Sequence, residues 1–105
     1  MKLNKKKELV KITSLIEQIE ELKDFSTKDE SFTKWQYDVV FFLERVSSKK
    51  SKRPKQFESI NFDPSVYLIG EDSTTDKINS YLSGLRESKA FLSAIKKEIE
   101  EYWNE

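Results

Sequence analysis

The chain has 105 residues, 36% apolar and 36% charged, and its 19 basic and 19 acidic side chains balance to zero net charge. With no Cys, no His and only two Gly, it lacks thiolate nucleophiles, imidazole bases, soft metal sites and Gly-rich phosphate cradles. The length sets one domain over residues 1–105, and seven Phe, four Tyr and two Trp argue against disorder.

Residues 1–7 are basic but lead into charged, periodic sequence instead of an apolar core segment, so no signal peptide is expected. The densest apolar run, 39–43, is far shorter than the roughly 18 residues of a membrane span. Together with the absence of Cys, this predicts a cytoplasmic protein without a membrane partner.

Leu9, Ile12, Ile16 and Ile19 recur at spacings of three, four and three, and Leu15 and Leu22 widen the stripe. The spacing predicts an amphipathic helix over 5–23. Lys5, Lys6 and Lys7 sit at the positive end of its dipole, so the first turn is expected to fray. After a short break, Thr27-Lys-Asp-Glu30 matches a capping box. A second helix is predicted over 28–46, with Phe32, Trp35, Val39, Phe42 and Val46 on one stripe and Tyr37, Val40, Phe41 and Leu43 on a second flank. Apolar surface over so much of the circumference predicts a helix central to its domain or shared with a partner, and central is the expectation. The short link makes the two helices an antiparallel hairpin.

Residues 47–56 read as a polar loop, with Pro54 barring a helix interior. Phe57, Ile60 and Phe62 fit either a short helical turn or an extended piece. Asp63-Pro64 marks a turn, followed by Val66, Leu68 and Ile69 and closed by Gly70. A connector of about 28 residues is too long to be structureless, so it is expected to pack its aromatics on the helices.

The last helix is predicted from Thr75 or Asp76 to about Trp103, with Ile78, Leu85, Leu92 and Ile99 recurring every seven residues beside Leu82, Ile95 and Trp103. Gly84 costs it about 1 kcal/mol against Ala, so either the helix bends there or a neighbour packs close. At about 42 Å against about 30 Å for the other two, it should overhang at an end bearing Phe91, Tyr102 and Trp103, which would need cover. The fold class is all-α: a three- to four-helix bundle made of a helical hairpin, an ordered connector with a short element, and a long C-terminal helix.

Lys49, Lys50, Lys52, Arg53 and Lys55 form the basic cluster, and phosphate contact with Phe57 as a stacking platform makes nucleic-acid binding the alternative function. The competing reading, a solvated loop, weighs more because no second basic face exists. Glu98, Glu100 and Glu101 are interleaved with Lys96 and Lys97 and read as a solvated face, so neither a metal nor a cofactor is expected. Serine without His would need a Lys base, and no recognisable elbow provides one, so the chain is not expected to be an enzyme. Trp35 reads as core, whereas Tyr37, Phe91, Tyr102 and Trp103 are the candidates for protein interaction.

Phe32-x-x-Trp35, Phe42-Leu43-x-x-Val46, Phe57-Glu-Ser-Ile-Asn-Phe62, Gly84-Leu85, Ala90-Phe-Leu92 and Ile95 occur in an order that resembles a small helical module of bacterial anti-phage proteins and their mobile-element relatives. In that group the module often precedes a TIR-like, predicted nucleotide-binding domain and also occurs alone. The chain departs from the pattern at Ser47-Ser48, where the family usually has Phe-Gly-Glu, and the TIR-like domain is not among these residues. The resemblance implies an accessory or recognition module in phage–host conflict, whose partner is a bacterial defence protein or a phage protein. It transfers no catalytic residue. Self-association as a homodimer through the last helix is a further expectation, and a small nucleotide held between helices is a second alternative.

Overall fold

The computed structural model describes residues 4–24, 30–47, 50–62 and 74–103, the side chains of the last stretch from residue 78 onward. Four helices follow in chain order: α1 (Lys5–Lys23), α2 (Glu30–Val46), α3 (Arg53–Glu58) and α4 (Thr74–Tyr102), with no strand among the described residues. The fold is the expected all-α bundle. No described helix is long and apolar enough to cross a membrane. The connector residues 63–70 and most of the capping box lie outside the described residues.

The first turn of α1 is held, contrary to the expected fraying. The Asn4 side chain accepts from the Lys7 amide at 3.0 Å, satisfying an orphan donor. Glu8 adds an acid to the dipole's positive end, and Lys5 Nζ donates to the Glu100 carbonyl at 3.0 Å. Ile12, Leu15, Ile19 and Leu22 are then buried along one face.

α1, more than α2, is the central rod: its contact with α4 is the most extensive in the bundle and it also packs against α2, whereas α2 meets α1 and the short α3. Cross-links fix both directions as antiparallel. Tyr81 donates its hydroxyl proton to the Leu22 carbonyl at 2.8 Å, at one end of α4, while Lys5 meets Glu100 at the other. Trp35 donates its indole N–H to the Leu15 carbonyl at 3.0 Å, and Arg45 reaches Glu8. The Tyr81 bond satisfies a carbonyl in the last turn of α1, where intrahelical donors run out. α2 lies to the flank, burying Phe32, Trp35, Val39, Phe42 and Leu43 while its second flank turns outward. The expectation of a central α2 failed because total apolar content does not distinguish a doubly covered helix from one with an exposed side.

Residues 53–62 form a strap that packs on α2 and reaches across to α4. Pro54 occupies the first turn of α3, where its missing N–H breaks no bond, so the segment read as a loop contains a helix. Of the two readings of the stretch after it, the helical turn holds at Phe57, and residues 60–62 belong to no regular element. Three contacts tie the strap down: Arg53 pairs with Glu98, the Phe57 ring lies 6.3 Å from Phe91, and Phe62 covers Gly84. Positions 84, 91 and 98 are seven apart, hence on one helix face and about 10 Å from each other. Six helical and four further residues reach about 22 Å, enough to cover the three.

This arrangement answers two expectations. α4 continues through Gly84 without interruption, and the glycine is there because Phe62 packs close. Tyr81 faces the end of α1, so the surplus length of α4 lies at its N-terminal end, not at the end bearing Tyr102 and Trp103. Phe91 is covered by Phe57, and Trp103 packs against the core edge. Glu98, read as part of a solvated face, is half-buried in its pair with Arg53.

Candidate interaction face on helix α2

Eleven of the thirteen aromatic side chains fall within the described residues, and most are spent inside. Phe32 meets Phe62 at 4.8 Å and Tyr81 at 5.3 Å, both edge-on, and Trp35 meets Phe57 edge-on at 5.7 Å. Phe42 is buried as well. Three remain in solvent: Tyr37 at 60%, Phe41 at 62% and Tyr102 at 75% exposure. Tyr102 stands alone near the chain end. Tyr37 and Phe41 form a pair.

Their spacing of four residues places the two rings one turn apart on the same face of α2, opposite the buried stripe. The rings stack at 6.3 Å with their planes 21° apart. Val40 is half-buried beside them. Stacking two rings on the solvent side gives the bundle little, because neither belongs to the buried core or to the half-buried side chains packed on it. Such a pair holds a flat apolar surface in one geometry, the arrangement that aromatic contacts to a partner favour.

A groove of about 540 Å³ runs beside the pair, between the C-terminal half of α1 and the N-terminal half of α2. Gln18, Glu21, Leu22 and Asp24 line one wall, and Ser31, Lys34, Trp35 and Asp38 the other. Among the described residues, Glu21, Asp24 and Asp38 form no ion pair and Lys34 is the one cation lining the groove. Lys34 and Asp38 precede Phe41 by two turns and by one, so the α2 wall of the groove neighbours the rings, which do not line it. Carboxylates in this number repel phosphate, which argues against the groove as a nucleotide pocket.

Two acids on α1 are engaged within the fold. Glu8 is buried and accepts from Arg45 Nη2 at 2.6 Å, while the same guanidinium lies 5.6 Å over the Phe42 ring. Glu20 accepts from Lys23 and from Lys89 of α4 at 3.2 and 3.3 Å; those two ammonium groups hold its carboxyl below the usual glutamate range. No group of three or more acidic residues is placed to hold a metal ion among the described residues.

The sequence candidates divide accordingly. Of the interaction set, Tyr37 lies on the exposed face, Phe91 and Trp103 are half-buried in the bundle, and Tyr102 is exposed but remote. The four do not form one surface. Of the basic set, Lys50, Lys52 and Lys55 are exposed, Arg53 is committed to Glu98, and Lys49 lies outside the described residues. Phe57 is 2% exposed, so it offers no stacking platform to a base. Phe41, Glu21 and Asp38 were not singled out from sequence. For Phe41 the signal was its place four residues after Tyr37; for the acids it required knowing how α1 sits against α2. The chain matches no protein-family model, no curated protein and no solved structure.

Proposed function

We propose that the chain is a non-enzymatic protein-interaction module that docks through the outer face of α2. The observation that carries this reading is the stacked pair of Tyr37 and Phe41, 60% and 62% exposed on a helix whose other aromatics are buried. Exposed aromatics that support nothing in their own chain are where hot-spot contacts form. The rigid bundle beneath them, bound to α1 through Trp35 and to the strap through Phe57, fixes the helix that presents them.

The setting proposed for this module is conflict between bacteria and phage, as a defence component or as a phage-encoded inhibitor of one. That part rests on the resemblance of Phe32-x-x-Trp35, Phe57-Glu-Ser-Ile-Asn-Phe62 and Gly84-Leu85 to the helical module of anti-phage proteins. The matching residues build the aromatic core and the strap, so they speak for the scaffold, while the docking face is this chain's own.

Efficiency of plating on bacteria expressing the chain tests the proposal. The wild type is expected to change plaque counts at least tenfold, up or down, for some phage, and Tyr37→Gln with Phe41→Gln to erase the change with the fold intact by circular dichroism. An effect that survives the double substitution, or no effect across a broad phage panel, would overturn the reading.

A further inference from the structure

The charge around the aromatic pair selects the kind of partner. We infer that the surface formed by Tyr37, Phe41 and the groove between α1 and α2 takes a basic amphipathic helix, one that sets Lys or Arg beside a short apolar stripe; this rests on the proposed docking role of α2. Two independent features of the surface ask for the same chemistry. Among the described residues, the groove offers the carboxylates of Glu21, Asp24 and Asp38 against the one ammonium of Lys34, and the acids have no ion-pair partner there. Next to them, the exposed faces of two stacked rings are electron-rich and attract ammonium and guanidinium groups as well as aliphatic side chains.

The shape also suits a helix. The groove lies between two antiparallel helices, and the apolar side chains of a third helix at i, i+3 and i+4 would settle against the ring pair beside it. Cationic groups one turn away on that helix then reach Asp38 and Glu21. A nucleic acid is repelled by the same carboxylates. The apolar contact provides affinity, and the acids provide choice of partner and salt dependence.

Two synthetic helical peptides of about 15 residues, with identical leucines and either lysines or glutamates beside them, test this with the full chain by fluorescence anisotropy. The lysine peptide is expected to bind at least tenfold more tightly than its glutamate twin, with the gap closing at 1 M salt as screening shortens to about 3 Å. Glu21→Lys with Asp38→Lys is expected to reverse the preference, and Tyr37→Gln with Phe41→Gln to weaken the lysine peptide at least tenfold. Equal binding of both peptides, lost on substituting the rings, would leave α2 as a docking face and overturn the cationic partner. No binding of the lysine peptide, or binding indifferent to the ring substitutions, would overturn it too. An oligonucleotide displacing the lysine peptide from the rings would do the same. So would self-association of the chain abolished by Glu21→Lys with Asp38→Lys, which would assign the groove to Lys50, Lys52 and Lys55 of a second copy.

Discussion

Gly84→Ala isolates the seating of the strap on α4. A Cβ at this position would stand 2.8 Å from both Cγ and Cε1 of Phe62 and closer still to Cδ1. Carbon atoms settle at about 3.5–4.0 Å, so the ring has to move. It has little room, since Phe62 is 6% exposed and meets Phe32 edge-on at 4.8 Å. Helix propensity by itself favours Ala by about 1 kcal/mol. Opposing it are overpacking, about 1–3 kcal/mol, and loss of the Phe32–Phe62 ring contact, about 0.5–1.5 kcal/mol. The expected balance is a net destabilisation of about 0.5–3.5 kcal/mol. Urea unfolding followed by tryptophan fluorescence should show a lower midpoint at unchanged m. Combined with Phe62→Leu, which frees space over the glycine, the substitution should cost less than the two single changes add up to. If Gly84→Ala instead stabilised the protein by the propensity gain, Phe62 would not be seated there and the strap would be wrong.

Arg45→Met leaves the Glu8 carboxylate buried without its guanidinium and should cost about 1–3 kcal/mol, less than for a fully buried pair because Arg45 is 39% exposed. Replacing both residues by Met should recover most of that loss in urea unfolding; a double variant as unstable as Arg45→Met alone would contradict the assigned pairing. NMR titration should place the Glu20 carboxyl below the ordinary glutamate range, with Lys89→Ala moving it back toward that range. Because the folded value is the lower one, the stabilisation from Lys23 and Lys89 is present above the ordinary range and is lost as pH falls through the folded value. A Glu20 titration unmoved by Lys89→Ala would remove the link between α1 and α4 at that point.

The sequence shows helices well and their arrangement poorly. The stripes Ile12–Ile19 of α1 and Leu85–Leu92–Ile99 of α4 are visible as spacings because each helix buries one face, and local periodicity carries that information. Trp35 and Phe32 read as core for the same reason. Which helix is central depends on how stripes on three helices meet, and α2's second flank of Tyr37 and Phe41 looks identical in sequence whether it is covered or left open. The strap is legible only as a short element that packs its aromatics; that its helix begins at Arg53, inside the stretch that reads as a loop, is not, because six helical residues are too few for periodicity and Pro54 is a breaker in a helix interior yet a starter in a first turn. Gly84 was legible as a question with two answers, and only the position of Phe62 decided between them. The groove acids come from two helices and share a surface through tertiary packing alone.

The claim everything else serves is that the outer face of α2 meets another protein. Placing a photo-crosslinking phenylalanine analogue at residue 41 in living bacteria, with the same analogue at the exposed Glu87 of α4 as reference, addresses it directly. The account predicts a discrete adduct from residue 41, abolished by Tyr37→Gln, and none from residue 87. Adducts of equal yield from both positions, or none from residue 41 under phage challenge, would contradict it.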